Sequence, residues 1–339
     1  MSGTTNPALE TSEMELDEPT TLVRIMGWVD RWGALFLVLV MVVLSFIAQP
    51  DVFLSERNIG NIFRQNSFYA MLALGQFIVI VTAGIDLSVG STMALAAMTA
   101  AVLADAQVFW PLIFLAPFVV GITVGAINGL GLTKLHMPHP FIMTLGMLFI
   151  VRGITNLISG GVPISGLPDE VRFLGANNIP GTLIPVSLIA VLGTYFLAWL
   201  FLNHARQGRH IFAIGGNPQA AKVSGVPVDR TLVLAYALCG MLAGFAGLLL
   251  AGRTNSGFPA AGTGDELYAI AAVIIGGASF FGGRGTVLGV LAGVLVLGMM
   301  RNLLNLSGVP SFWQQVAIGV VIIGVVAFDV FRRRVAASA

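Results

Sequence analysis

Asn203 to Arg230 reads NHARQGRHIFAIGGNPQAAKVSGVPVDR and lies between two long apolar segments. The chain has 339 residues, of which 56% are hydrophobic and 10% charged, so this much polar side chain in one place belongs in water. The stretch carries Arg206, Arg209, Lys222 and Arg230 against a single acid, Asp229. An excess of Lys and Arg marks a cytoplasmic loop under the positive-inside rule. Within it the spacing predicts a short helix. Asn217 serves as N-cap, Pro218 fits the first turn, Gln219 to Ser224 continue it, and Gly225 stops it. A helix of under two turns does not hold alone in water and needs a packing surface. Two readings follow: an elbow lying on its own membrane domain, or a knob that docks a soluble partner.

The mean hydropathy of +0.90 is too high for a soluble domain of this size. Several segments stay apolar over the ~20 residues needed to cross a bilayer. The fold class is therefore all-α, a polytopic membrane helical bundle. The two-residue alternation of a membrane β-barrel is absent. The one cysteine, Cys239, lies in an apolar run, which excludes a disulfide frame and a cysteine metal site. A net charge of +1 argues against nucleic-acid binding.

Outward from the polar loop, the apolar pattern predicts spans at about 33–49, 62–82, 87–104, 110–132, 140–158, 183–203, 231–251, 266–281, 286–304 and 311–331. These make about ten transmembrane helices. With the N-terminus inside, eleven of the seventeen Lys and Arg residues fall on the cytoplasmic side, which supports an even number of spans. Nine or eleven spans would misplace either the loop or the terminal Arg332-Arg333-Arg334. Residues 1 to about 24 carry Glu10, Glu13, Glu15, Asp17 and Glu18, have little to bury, and are expected to be disordered. The domain plan is a mostly disordered cytoplasmic tail at 1–31, a transmembrane domain at 32–331 containing the loop 204–230, and a cytoplasmic tail at 332–339.

Two spans are interrupted by glycine. The segment 266–281 would measure about 24 Å as a helix, short of the ~30 Å hydrocarbon core. It is also broken by Gly276-Gly277 and Gly282-Gly283. A similar break, Gly84-Ile-Asp-Leu-Ser-Val-Gly90, follows the second span. Irregular backbone survives at membrane depth only where protein buries it or it lines a wet cavity. A shift of 199 residues aligns Tyr69 with Tyr268, Ala70 with Ala269, Ala73 with Ala272, Gly84 with Gly283, Gly90 with Gly289, Pro111 with Pro310 and Gly125 with Gly324. Helix boundaries agree under the same shift, so spans two to four are expected to repeat as spans eight to ten. Paired, glycine-interrupted segments in two halves point to a substrate path. Its candidate residues are Gly84, Asp86, Ser88, Gly90, Gly276, Gly277 and Gly283. Glycines spaced by four, as in Gly121-x3-Gly125-x3-Gly129, Gly240-x3-Gly244 and Gly285-x3-Gly289-x3-Gly293, favour close packing between helices inside the bundle.

Side chains able to do chemistry are few. Asp86 is the one acid read near the membrane interior, and an intramembrane carboxylate is costly and often functional. It also stands where a helix is expected to begin, at Leu87, so an N-cap is the plainer role. Arg152 and Arg301 near span ends are expected to snorkel to the interface. His136 and His139 have a metal-like spacing, but Pro138 and Pro140 hold His139 extended, which predicts a loop. Gly282-Gly283-Arg284-Gly285 lacks the Gly-Lys-Ser/Thr of a phosphate loop. Neither a paired carboxylate nor a Ser/His/Asp arrangement is visible, so the chain reads as no enzyme and as binding no cofactor of its own.

Four stretches together resemble the permeases of bacterial ABC sugar importers, the group that includes the ribose, xylose, arabinose and galactose systems. They are GIDLSVGS at 84–91, GAINGLGLTKLHMPHPFIMTLGM at 125–147, GRHIFAIGGNPQAAKVSGV at 208–226 and IGGASFFGGRGTVLG at 275–289. The resemblance spans about 33–331. It implies that the third stretch is the loop that docks on the ATPase, with Arg209, Asn217, Pro218, Gln219, Ala220, Ala221 and Gly225 in the coupling element. The wider importer pattern has Glu-Ala-Ala and then Gly. Here Gln219 stands at the glutamate position and removes a charge that could meet a basic ATPase residue. The resemblance further implies a permease subunit in the bacterial inner membrane with both termini cytoplasmic. Its partners would be an ABC ATP-binding subunit that holds ATP and Mg, a periplasmic sugar-binding protein and a second permease copy, the same or different. The substrate would be a monosaccharide, pentose or hexose. The competing reading is an ion-coupled secondary sugar carrier or facilitator with Asp86 in its path.

Overall fold

The computed structural model describes residues 21–338 apart from His136 and Pro138. The expected acidic tail therefore lies largely outside the described residues, as does His136 of the histidine pair. The first half of the chain forms α1 (Thr21–Ala48), α2 (Pro50–Phe53), α3 (Glu56–Val81), α4 (Val89–Asp105), α5 (Trp110–Lys134), α6 (Pro140–Ser159), β1 (Ile164–Ser165) and α7 (Asp169–Ala176). The second half forms α8 (Val186–His204), α9 (Arg206–Gly216), α10 (Pro218–Val223), α11 (Val228–Thr254), β2 (Ser256–Gly257), α12 (Asp265–Ile275), α13 (Val287–Leu306) and α14 (Ser311–Ser338). Each of the ten expected spans falls on a helix, and α5, α6, α8, α11 and α13 are long and apolar enough to cross a membrane. The chain is a helical membrane bundle. Three boundaries differ from expectation. α1 begins at Thr21, inside the expected tail, and α14 continues helically to Ser338, through the residues expected to be a tail. α12 stops at Ile275 rather than near 281, because Gly277 takes φ +85 and turns the chain.

α3 lies at the centre. Every residue from Asn66 to Val81 is buried, and a helix apolar all round must be surrounded by protein. α11 packs on α3, α4 and α5. Its contact with α5 is made through glycine: a β-carbon on Gly121 would lie 2.1 Å from the Gly240 carbonyl oxygen, one on Gly125 2.1 Å from that of Tyr236, and one on Gly244 2.1 Å from that of Pro117. α12 and α13 approach in the same way, Gly276 against Gly289 and Gly293 against the Ala272 carbonyl. The spaced glycines thus serve packing within the bundle, where lipid offers no hydrophobic force and close backbone approach supplies the attraction. Polar side chains add ties between helices: Asn58 and Asn302 exchange amide bonds at 2.8 and 3.2 Å, and the Tyr195 hydroxyl donates to the Ala70 carbonyl at 2.9 Å.

The expected repeat is visible in the architecture. α3, a break, α4 and α5 are followed later by α12, a break, α13 and α14. α11 precedes the second set as α1 precedes the first, and α1 packs on α13 as α11 packs on α4. At one face of the bundle, β1 pairs antiparallel with β2, Ile164 opposite Gly257, and α7 covers the end of α11. At the other, α9 and α10 fill the polar loop.

Gly240→Val should destabilise the purified protein by about 1–3 kcal/mol, since a branched side chain must force α5 and α11 apart. Gly193→Ala, with nothing within 4 Å of the added carbon, should leave the melting temperature at or above that of the parent. Thermal unfolding in detergent, followed by tryptophan fluorescence, compares the two.

Candidate functional site

The polar loop folds as two short helices joined at one residue. Asn217 ends α9 and caps α10, its side-chain oxygen accepting from Ala220 N at 3.0 Å. Pro218 occupies the first turn. Gly225 at φ +81 closes the end, with Gly225 N donating to Lys222 O and Val226 N to Ala221 O, both at 3.0 Å. This is the cap-to-glycine helix that the sequence predicts. Ala221 alone of α10 faces inward. Gln219, Ala220 and Lys222 are exposed, and Val223 is 90% exposed. A groove of about 530 Å³ runs beside the knob, lined by Pro218, Gln219, Lys222, Val226, Asp229 and Arg230 among others. Arg209 lies apart from the knob: its guanidinium donates to the His204 carbonyl at 3.1 Å and closes the end of α8.

α9 was not expected as a helix. It packs one face inward through Gly208, Ile211 and Ile214, and a β-carbon on Gly208 would meet the Phe201 and Leu202 carbonyls of α8 at 2.3 and 2.5 Å. Its last turn brings Gly215 against the end of α3.

The first break, residues 82–88, is held by its own polar groups. Ala83 takes φ +63, and Gly84 N donates to Val79 O, which ends α3. The Asp86 carboxylate is 1% exposed. It accepts from Ser88 N at 2.8 Å, from the Ser88 hydroxyl at 2.6 Å, and from the Asn128 amide of α5 at 3.3 and 3.4 Å. Asn128 also donates to the Ser88 hydroxyl at 2.9 Å. With its amide set to match, Gln76 of α3 spans the Asp86 backbone, donating to its O at 3.0 Å and accepting from its N at 3.2 Å. This corrects the N-cap role. The helix starts at Val89, with Ser88 as its N-cap residue, and Asp86 instead closes the turn before it. One buried oxygen of this network, Asn128 Oδ1, has no protein partner, and neither does Thr92 Oγ1 one turn into α4. Asn128 could have been found from sequence, being a lone amide in an apolar helix, where such side chains join neighbours.

The other glycines of the candidate path are tight contacts. Gly84 abuts the Tyr236 hydroxyl, Gly90 abuts the Gly262 carbonyl and the Glu266 side chain, and Gly276 abuts Gly289. Gly277 turns the chain out of α12. Gly283 brings the two breaks together, its N–H donating to Val81 O at 2.9 Å.

At the opposite end of the bundle both arginines depart from the snorkelling reading. Arg301 of α13 turns inward and lies over the rings of Tyr69 and Tyr268, 4.9 and 4.6 Å from their centroids, while bonding the Tyr69 hydroxyl. The two rings lie 4.3 Å apart. They are the tyrosines that the repeat aligns, so the internal repeat carried the signal for this cluster. Arg152 of α6 donates to the carbonyls of Pro259 and of Ala261, the latter at 2.7 Å, and pins the loop before α12. In both cases an inward partner satisfies the guanidinium better than reaching for the lipid surface. His139 is extended and caps α6, accepting from Phe141 N at 3.3 Å, as its flanking prolines predict. Among the described residues, no group of three or more His, Cys, Asp or Glu side chains is placed to hold a metal.

The arrangement brings together an exposed knob, a helix leading inward, and two irregular breaks in the bundle. A family model described as the permease component of branched-chain amino acid transport systems matches residues 58–326. The ribose import permease of Escherichia coli K12 is 38% identical over 305 residues, covering 89% of this chain and 94% of its own. The D-allose transport system permease of the same organism is 40% identical over 305 residues, covering 88% and 91%. Its galactose/methyl galactoside import permease is 39% identical over 315 residues, covering 88% and 93%. No solved structure matches. Both kinds of match run through the breaks and the α9–α10 loop, and the chain belongs to the family of transport-system permease components.

Proposed function

We propose that this permease is the membrane subunit of an ATP-driven importer that moves a monosaccharide delivered by a periplasmic binding protein. The sugar class rests on the relatives, which are import permeases for ribose, allose and galactose. The ATPase partner rests on α10. That helix is fully capped yet leaves Val223 90% exposed in a polar loop, an apolar contact offered to a protein rather than to lipid. In this reading ATP and Mg belong to the partner, α10 enters a cleft in it, and Gln219 contributes a neutral contact where a glutamate would bring charge. The α10 face is cytoplasmic, as are both termini, which follows from the excess of Lys and Arg on that side. A second permease subunit completes the path.

The ion-coupled carrier needs a carboxylate that loads and unloads. Asp86 already has four hydrogen-bond contacts from Ser88 and Asn128, which suits a fixed turn. The import permeases among the relatives support the ATP-driven reading over the carrier.

Val223 gives the cleaner test of docking, because Ala221 is buried and a charge there would also unseat α10. Burying a valine stabilises a contact by about 1.5 kcal/mol or more, or about tenfold in affinity. Val223→Glu should therefore weaken co-purification with the ATPase subunit by at least about tenfold and abolish uptake, with membrane insertion unchanged. Full uptake by this variant would refute the docking assignment. Asp86→Asn keeps an acceptor for Ser88 N but loses the charge. It should cost about 1.5–3 kcal/mol in thermal stability while leaving uptake ATP-driven and insensitive to an uncoupler. Uptake abolished in a stably assembled Asp86→Asn complex would favour the carrier.

A further inference from the structure

Three stretches of backbone meet just before α10, with only the small Ala83 side chain among them. A β-carbon on Gly215, in the last turn of α9, would lie 1.7 Å from the Val81 carbonyl oxygen and 2.6 Å from Gly283 N. That same carbonyl accepts the 2.9 Å bond from Gly283 N. A β-carbon on Gly282 would meet Ala83 N at 2.8 Å and Gly215 O at 3.0 Å, and one on Gly283 would meet Gly216 Cα and N at 3.1 Å. The end of α3, the second break and the tail of α9 thus touch directly. Two residues beyond Gly215, Asn217 is at once the end of α9 and the cap of α10.

We propose that Gly215 is the positioning residue through which movement of α10 reaches both breaks, and that this three-way joint changes its contacts in each transport cycle. The inference rests on the docking reading of α10 and adds where the movement goes. Side chains between α9 and the breaks would absorb a small displacement by changing rotamer. Backbone packed on backbone cannot, because close-packed interiors transmit strain. A shift of Gly215 toward the breaks must carry Val81 with it or part Val81 O from Gly283 N, and either outcome alters the segments Val81–Gly84 and Gly282–Gly283. Ala83, Gly282 and Gly283 all have positive φ, at +63, +87 and +72, so the joint is built of turns rather than regular helix. Coupling requires such differential contacts between two states.

Static packing would also demand glycine at 215, so the deciding experiment is a reversible lock. Ala83→Cys with Gly282→Cys ties the two breaks together: a β-carbon on Gly282 would lie 3.0 Å from that of Ala83, about half an ångström inside the separation a disulfide takes, and the native Cys239 is buried. The double variant is assayed in membrane vesicles with its ATPase subunit and binding protein, using radiolabelled ribose, D-allose and galactose in turn. Oxidation should lower uptake by about tenfold or more, a reductant should restore it, and the ATPase subunit should co-purify in both states. Unchanged uptake in chain shown to be crosslinked would mean that the joint does not move, and the proposal falls. Failure of the disulfide to form under oxidant would mean that the segments do not meet, with the same consequence. Failure of the ATPase to co-purify with the parent chain would instead overturn the docking reading itself. Single variants give an independent arm: Gly215→Ala should uncouple hydrolysis from uptake in an assembled complex. Gly216→Ala, whose added carbon meets nothing within 4 Å, should behave as the parent. Parent-like coupling in Gly215→Ala would equally sink the proposal.

Discussion

The bond from Gly283 N to Val81 O joins two places where helices stop inside the bundle, and much of the architecture follows from the need for such bonds. A chain that leaves helical geometry at membrane depth exposes N–H and C=O groups that lipid cannot satisfy, each at a cost of several kcal/mol. The residues after Val81 and after Ile275 meet this demand locally where they can. Gly84 N reaches back to Val79 O, Ala278 N to Val273 O, and Ser279 N across to Arg284 O. Where they cannot, another segment must come within hydrogen-bond reach. Approach that close leaves no room for a β-carbon, so glycine recurs at Gly215, Gly282 and Gly283.

The same constraint accounts for the asymmetry between the two repeats. α3 runs for 26 residues before its break and α12 for 11. The shorter helix leaves more irregular chain, 276–286, and that chain lies where α3 ends. The long helix supplies the carbonyl and the short one leaves the free N–H. At the other end of the bundle the repeats are tied by side chains instead, Arg301 lying over Tyr69 and Tyr268. One end is thus joined by a three-way cluster of side chains and the other by backbone contact.

Legibility in the sequence followed the range of the forces involved. The ten spans and α10 were readable because length, hydropathy and caps are local: Asn217, Pro218 and Gly225 each act within a turn of their own position. Glycines spaced by four announced close packing, though not their partners. Asp86 was visible as a costly acid, but its turn role was not, since Asn128 lies 42 residues away and no local rule links them. Position in a span marks Arg301 and Arg152 only as residues that could snorkel, while their partners lie far off in the chain, Tyr69 and Tyr268 on other helices and the Pro259 and Ala261 carbonyls in the loop before α12. Gly215 was the least legible. A glycine pair in a polar loop looks like a linker, and only folding shows that a β-carbon on Gly215 would strike the breaks while one on Gly216 would point into open space.

If α10 docks a partner as proposed, the way α9 is held sets how so small an element would act on so large a bundle. One end of it is fixed by Gly208 against the last carbonyls of α8, with Arg209 bonded to His204 O. Ile211 and Ile214 keep its middle buried. α10, by contrast, rests on the domain through Ala221 and little else. Under the docking proposal, a push on α10 would meet little resistance at its own seat and would pivot α9 about the α8 junction, toward the far end where Gly215 lies. Had α10 been anchored by large apolar side chains, the same push would have spread over the bundle surface. The poverty of its inward face, which makes the helix too weak to stand alone, is what would let such a motion pass inward undivided.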